Sequence, residues 1–315
     1  MCKRMSLLLI AFVSIICALS CTSATSNPAL MGQQSQKIFS SQDSVRFANA
    51  EWSVDTVCNG LVLKTVHFTG KEIFNSNQFM CVLEITPGSP IKLAFAYDPQ
   101  RAVTSVMARR HKAIAAVNAS FFDMKYHNPI CYLRIGGRQV GENTPQKSDT
   151  LNRKYYQYAT MALYDGFPKF VIPDSNRHWE ETFDSSCKDV MTAGPMLIVD
   201  NQRVEQRKDR TFVTDRHNRT ALGIKSDSTI IIFTVDGRMK QSAGMTLDEL
   251  SQTMKWLGCT NAINLDGGGS TTCYVRDRGE NGVVNYPTDN ARFDHRGERK
   301  VSSIVMILQN RKPEK

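Results

Sequence analysis

Arg219-Thr-Ala-Leu-Gly-Ile-Lys-Ser-Asp-Ser-Thr-Ile-Ile-Ile-Phe-Thr-Val-Asp236 holds two apolar runs separated by a polar step at Asp227-Ser228. Short runs rich in Ile, Val, Thr and Phe, bounded by turn formers, are strand signals, and a brief polar break between two of them signals a hairpin. Hairpin strands are antiparallel, so Arg219 opens one strand and Asp236 closes its neighbour at the same end of the sheet. A fold dominated by antiparallel sheet follows, with polar side chains gathered at one sheet end.

Beyond the hairpin, Thr246 and Glu249 form a capping box, Leu247, Leu250, Met254 and Leu257 share one helical face, and Gly258 ends the helix. That face packs on the sheet, and the helix start accounts for Asp248 and Glu249. The chain then returns through 261–265 into Asn264-Leu-Asp-Gly-Gly-Gly-Ser270. Three consecutive glycines make a poor strand, but they suit a turn that lets other groups approach the main chain. Such a turn can converge N–H groups on an anion, between the carboxylate of Asp266 and the hydroxyl of Ser270. It matches neither Gly-x-Gly-x-x-Gly nor a P-loop, so nucleotide binding is not implied.

Upstream, 60–68, 79–85 and 91–97 are strand-like, and the apolar spacing over 102–112 with its basic end predicts a short helix. The small-residue run 113–117 predicts a buried strand ending at Asn118, whose side chain either serves a site or bonds its own turn. Hairpins are expected around Gly136-Gly137 and Asp165-Gly166, and Gly194-Pro195 breaks the apolar run 189–199. The polar segment 142–158 ends in Tyr155, Tyr156 and Tyr158; it overhangs a cleft or is a surface excursion. Segment 277–300 is charged and loop-like, and 301–308 is a closing strand. Strands outnumber helices, which gives an α+β domain: a single domain built on mainly antiparallel sheet with a few packed helices.

Lys3 and Arg4 precede an apolar run over 7–17, right for the core of a signal peptide and short for a membrane span. Residues 1–20 are therefore expected to be a signal peptide. Ala18-Leu-Ser-Cys21 resembles a loose bacterial lipobox, so Cys21 is expected to carry lipid and hold an exported cell-envelope lipoprotein on a membrane. Residues 21–49 are expected to be a flexible linker and 50–310 the folded domain. Six cysteines remain beyond Cys21, scattered and partly within apolar runs, where buried thiols are the commoner arrangement; no Cys-x-x-Cys pair suggests zinc. Removing 1–20 takes away two of the 39 Lys and Arg and none of the 30 Asp and Glu, leaving a formal charge of +7. Such a charge favours anionic partners. The cations are spread and carry no aromatic-plus-basic ladder, so nucleic acid is not expected as a partner.

Asn118-Ala-Ser-Phe-Phe122, Ala193-Gly-Pro-Met196, Arg219-Thr-Ala-Leu-Gly223, Val235-Asp-Gly-Arg238, the Thr-Leu-x-Glu helix start and Asn264–Ser270, in this order, resemble the phosphodiester glycosidase family over about residues 55–308. The family usually has Asn-Gly-Gly-Phe-Phe where this chain carries Ala119 and Ser120, which would narrow the space over that backbone. The resemblance implies a hydrolase that cleaves between a sugar's anomeric carbon and a bridging phosphate in a sugar-1-phosphodiester. A phosphomonoester leaves as a stable anion, so the demand for acid catalysis seen in ordinary glycosides relaxes. What remains necessary is a set of phosphate donors and a carboxylate near the anomeric carbon.

Asp266 is expected as the catalytic base or nucleophile, with Asp236 supporting it by positioning Arg219 or a sugar hydroxyl. Arg219 is expected as a bidentate phosphate clamp. Asn118, Gly194, Gly267, Gly268, Gly269, Ser270 and Thr220 complete the expected substrate-binding set. No cofactor is required, and a single divalent cation held by carboxylates and carbonyls stays compatible with the sequence. Two other readings are a lipid-anchored module that binds phosphorylated glycan without turnover and a metal-dependent phosphoesterase using Asp236 and Asp266.

Overall fold

The hairpin that opened the sequence reading lies at the centre of the largest sheet. In the computed structural model, residues 41–146, 153–172 and 187–309 are described. Among them, three sheets account for the named strands. The first has eight strands in the order β1-β2-β3-β14-β13-β15-β11-β12. These are β1 Ser53–Cys58, β2 Leu61–Ile73, β3 Ser76–Ile85, β14 Ile230–Val235, β13 Arg219–Lys225, β15 Cys259–Asn264, β11 Met196–Val199 and β12 Gln202–Arg203. The second has five strands, β7 Arg138–Gly141, β6 Leu133–Ile135, β10 Asp189–Ala193, β8 Ala159–Tyr164 and β9 Phe167–Val171. The third has four, β16 Cys273–Val275, β5 Ala115–Asn118, β17 Lys300–Gln309 and β4 Ile91–Val103. Every pairing is antiparallel. The domain is α+β, as its strand patterns predict.

Alternation along the strands decides which face each residue serves. Ile230 and Ile232 join the core shared with Leu93, Phe95, Leu133, Met161 and Val305, which lies between the eight-stranded sheet and the other two. Ile231, Phe233 and Val235 point the other way, onto helices α1 Ser41–Ala48 and α4 Leu247–Trp256, beside the short helix α3 Thr211–Thr214. Helix α4 begins with the expected capping box: Thr246 accepts from Glu249 N at 3.1 Å, and Glu249 accepts from Thr246 N at 3.0 Å. Helix α2 Thr104–Arg110 covers the outer face of the four-stranded sheet through Met107 and Ala108. Gly194-Pro195 passes the chain from β10 in one sheet to β11 in another, which is why an apolar run of that length is interrupted.

The folded part begins earlier than residue 50. Helix α1 buries Phe47, whose ring meets Trp52 at 5.6 Å and Trp256 at 5.2 Å, so the stretch expected to be linker is structured from Ser41. Its sequence is polar, and the single aromatic that docks it leaves no periodic signal. The expected signal peptide, Cys21 and the rest of the expected linker lie outside the described residues. The six described cysteines are free thiols, five of them buried. No described helix is long and apolar enough to cross a membrane.

Candidate active site

Asp266 lies two residues beyond the end of β15, where the sheet end meets the end of β5. Its main-chain N–H donates to Ala119 O at 2.9 Å, and its carbonyl accepts from Asn118 Nδ2 at 2.6 Å. Asn118 Oδ1 in turn accepts from Thr220 Oγ1 at 2.7 Å and from Thr272 N at 3.2 Å. Asn118 and Thr220 are both buried, so these two residues hold Asp266 in place and do not face a substrate. Gly194 behaves similarly: its carbonyl accepts from Asn264 Nδ2 at 2.8 Å, and its Cα packs against the Tyr158-Ala159 backbone. Ser120, where the related motif has glycine, turns its hydroxyl inward to Thr192 O at 2.6 Å and is itself buried.

The glycine loop departs from its expected role as an anion nest. Gly267 N donates to Asp266 Oδ1 and Gly268 N to Asn218 O, each at 2.8 Å, so two of the three amides are spent inside the protein. What the missing side chains provide is room. A Cβ on Gly267 would sit 2.6 Å from Asn218 O, and one on Gly268, which has φ +61°, would sit 2.9 Å from Arg238 Nη2. A Cβ on Gly269 would collide with Asp289 Oδ1 and lie 2.5 Å from Arg299 Nη2. Arg238 and Arg299 therefore rest directly on the loop beside Asp266.

Asp266 is half-buried, open enough to be reached. Burial pushes its pKa up to about 6, against the opposing pull of the Ser270 hydroxyl, the Gly267 amide and the charges of Arg299 and Arg238. Ser270 is itself fully buried. Arg299 is anchored by Asp289, which accepts from its Nε at 2.9 Å and Nη2 at 2.5 Å. Arg238 Nη2 donates to His217 Nδ1 at 3.3 Å, which leaves the His217 ring proton on Nε2. Burial and the charges of Arg219 and Arg238 lower the His217 pKa, so the ring is a neutral acceptor. The rings of Phe121, Tyr156 and Phe212 form one cluster, with Tyr156 stacked on Phe121 at 4.5 Å and within reach of the Asp266 charge. Burial is the main cause that raises the Tyr156 pKa, and the charge of Asp266 adds to it.

Arg219 and Asp236 do not take the expected parts. Arg219 is paired across the sheet with Val235, so its side chain shares the helix-facing side, and Asp236, one residue on, faces the opposite way. The Arg219 guanidinium is buried and donates to Met245 O (2.8 Å), Phe212 O (2.8 Å) and Asp215 O (3.0 Å). Burial is the main cause that drops its pKa to about 9. It is a structural tie between β13 and the segments before β13 and α4, not a phosphate clamp. Asp236 is 0% exposed and cannot touch a substrate. It accepts from Asn285 Nδ2 and Tyr286 N, each at 2.7 Å, and burial raises its pKa to about 7. Its role is to pin the 277–299 loop, from which Asp289 and Arg299 project. Among the described residues, no group of three or more His, Cys, Asp or Glu side chains is arranged to hold a metal.

The residues that sequence reasoning missed are Arg238, Arg299, Asp289 and His217. Arg238 stood in the quoted Val-Asp-Gly-Arg motif without a role of its own. Arg299 and Asp289 lie in an aperiodic charged loop and gave no signal.

A family model described as phosphodiester glycosidase matches residues 111–308. An SPbeta prophage-derived uncharacterized protein of Bacillus subtilis is 24% identical over 285 residues, covering 81% of this chain and 42% of that protein. The N-acetylglucosamine-1-phosphodiester alpha-N-acetylglucosaminidase of Bos taurus is 26% identical over 235 residues, covering 72% of this chain and 42% of the relative. The chain thus spans under half the length of these curated relatives. Among solved structures, the zebrafish N-acetylglucosamine-1-phosphodiester alpha-N-acetylglucosaminidase catalytic domain, auto-inhibited by its pro-peptide, superposes with a TM-score of 0.60 at 20% identity, covering 82% of this chain and 87% of that one. A hypothetical protein from Synechocystis gives 0.59 at 15% identity, covering 82% and 64%. These likenesses establish a shared fold.

Proposed function

Because this chain belongs to the phosphodiester glycosidase family, we propose that it hydrolyses the bond between a sugar's anomeric carbon and a phosphate bridging to a second group, with Asp266 as the catalytic carboxylate. The observation that carries this reading is one reachable carboxylate on a glycine loop, raised toward neutrality by burial and flanked by two arginines. Above pH 6 Asp266 is largely ionised and acts at the anomeric carbon as base or nucleophile. Arg238 and Arg299 balance the phosphate, which departs as a monoester and needs little protonation. Guanidinium groups suit that work because they stay charged and offer paired donors. The rings of Tyr156 and Phe212 supply an apolar wall for the sugar. The names of the bovine and zebrafish relatives make an α-N-acetylglucosaminyl phosphodiester the first substrate to assay.

The test is turnover by the purified protein on a panel of sugar-1-phosphodiesters, with and without a chelator, beside Asp266→Asn. Chelator-resistant release of the free sugar, lost by orders of magnitude in a folded Asp266→Asn, is the expected result. Saturable binding with no turnover would replace the enzyme by a glycan-binding module. Turnover abolished by chelator would replace this mechanism by a metal-dependent one.

We also propose that the protein is exported and lipidated at Cys21, on the strength of the basic and apolar start and the lipobox-like Ala18-Leu-Ser-Cys21. Cys21→Ala should abolish membrane fractionation or block processing. An unchanged mature mass together with unchanged membrane fractionation would refute lipidation.

A further inference from the structure

A cavity of about 820 Å³ lies at the opposite end of the four-stranded sheet from Asp266. Strand β5 runs from Ala115 to Asn118, with Asn118 at the Asp266 end; its antiparallel partners put Val275 and Ile307 opposite Ala115. Arg276, Leu308 and Gln309 therefore emerge at the far end, and Lys92, paired with Leu308, emerges with them. At about 3.3 Å per residue, the length of β5 alone separates the two places by roughly 10 Å.

Lys92, Arg109, Lys112 and Arg276 line this cavity together with His111, while Asp277 is the one carboxylate in its wall. Three separate segments supply the cations: β4, the end of α2 with the residues after it, and the residue following β16. A basic helix end alone would account for Arg109, His111 and Lys112, but not for Lys92 and Arg276. No ion pair among the described residues neutralises any of the four cations. Two are fixed in direction by main-chain acceptors. Arg276 donates to Lys112 O at 2.7 Å and to Ala113 O at 3.2 Å, and Arg109 donates to Asn281 O at 2.9 Å. Carbonyl acceptors orient a guanidinium without cancelling its charge. Ala113, Ile114, Tyr274 and Leu308 give the cavity apolar wall to exclude water.

We propose that this cavity is a second anion site, built for a phosphoryl group and separate from the Asp266 cleft. Pre-oriented arginines and two exposed lysines around a concave surface match a tetrahedral phosphoryl oxyanion. Asp277 in the wall and Glu298 near Arg109 leave part of the charge of these four cations unbalanced. The group can arrive as a free phosphate or as the headgroup of an anionic lipid, and the two sources separate experimentally.

The full chain carrying Cys21→Ala, so that no acyl chain contributes, is titrated with inorganic phosphate by calorimetry at fixed ionic strength. The same protein is sedimented with phosphatidylglycerol vesicles and with phosphatidylcholine vesicles. The double variant Lys92→Gln, Lys112→Gln should bind phosphate or phosphatidylglycerol at least about tenfold more weakly, which one to two charge-assisted contacts account for. Arg238→Gln, Arg299→Gln, which strips the Asp266 cleft, should leave that binding intact. Neither lysine has a hydrogen bond to lose in this region, so the double variant keeps the melting temperature of the parent; Arg276→Gln provides a second variant of the same sign. Saturable binding of soluble phosphate identifies a small-anion site, and retention only on phosphatidylglycerol identifies a headgroup site. The proposal is overturned if the double variant binds both probes as the parent does, or if phosphate binding disappears only with Arg238 and Arg299.

Discussion

Arg299 places a positive charge beside Asp266, the proposed catalytic carboxylate. Its guanidinium favours the ionised carboxylate and so holds the Asp266 pKa below where burial alone would take it. Activity that needs ionised Asp266 should rise as pH rises through about 6. In Arg299→Gln the acid limb of kcat/KM should move to higher pH, since removing a positive neighbour disfavours ionisation; a limb that stays still or moves down would refute the coupling. Gly267 is the second residue with a sharp expectation. A methyl there meets the Asn218 carbonyl, which cannot move without shifting the start of β13. Gly267→Ala should therefore displace Asp266 and lower kcat/KM by about a hundredfold, the scale of a misplacement near 1 Å. Retention of full activity would show that the loop adapts. The turn after Asp266 was legible in the sequence because three glycines in a row make a poor strand, but the inward direction of the Gly267 and Gly268 amides was not. Arg299 was not, because its relation to Asp266 exists only after the 277–299 loop has folded back.

At the level of the strand, the lesson is the two-residue pleat. The hairpin signal correctly brought Arg219 and Asp236 to one sheet end, yet whether they meet depends on register, and an offset of one residue puts them on opposite faces. Arg219 thus belongs to the packing of β13 against the segments before β13 and α4. Arg219→Lys should reduce stability by about 2–4 kcal/mol, because a lysine cannot serve the carbonyls of Met245, Phe212 and Asp215 together. The check is a chemical denaturation curve. If the midpoint is unchanged while turnover collapses, Arg219 acts on substrate after all. Helix α4 was readable to the residue through its capping box, whereas α1 was hidden because one docked aromatic, Phe47, holds it.

For the whole molecule, Asp236 and Asp266, with Glu298 shifted the same way, give folding a contribution that falls as pH rises. The pKa of Asp236 is raised from 3.8 to about 7 and that of Asp266 from 3.8 to about 6, both chiefly by burial. The folded state then holds protons more tightly than the unfolded chain, so their contribution is fully present below pH 4 and is lost as pH rises through 6 to 7. Asp236→Asn should flatten this decline, with a general loss of about 1–3 kcal/mol from the disturbed bonds to Asn285 and Tyr286. Thermal melts of parent and variant between pH 4 and 8 decide it, and parallel curves would remove Asp236 from the account. The wider architecture was legible wherever strands alternate or turns are marked, but the grouping of strands into three sheets was not, because it is decided by packing over long sequence separations. Asn118 shows what that grouping means in use. One amide, on the four-stranded sheet, joins Thr220 of the eight-stranded sheet to the main chain of Asp266. Any slip between the sheets therefore moves the carboxylate before either sheet dissolves. In a denaturant series, turnover should disappear ahead of the loss of strand signal, making the enzyme's own rate the most sensitive gauge of how its sheets are seated.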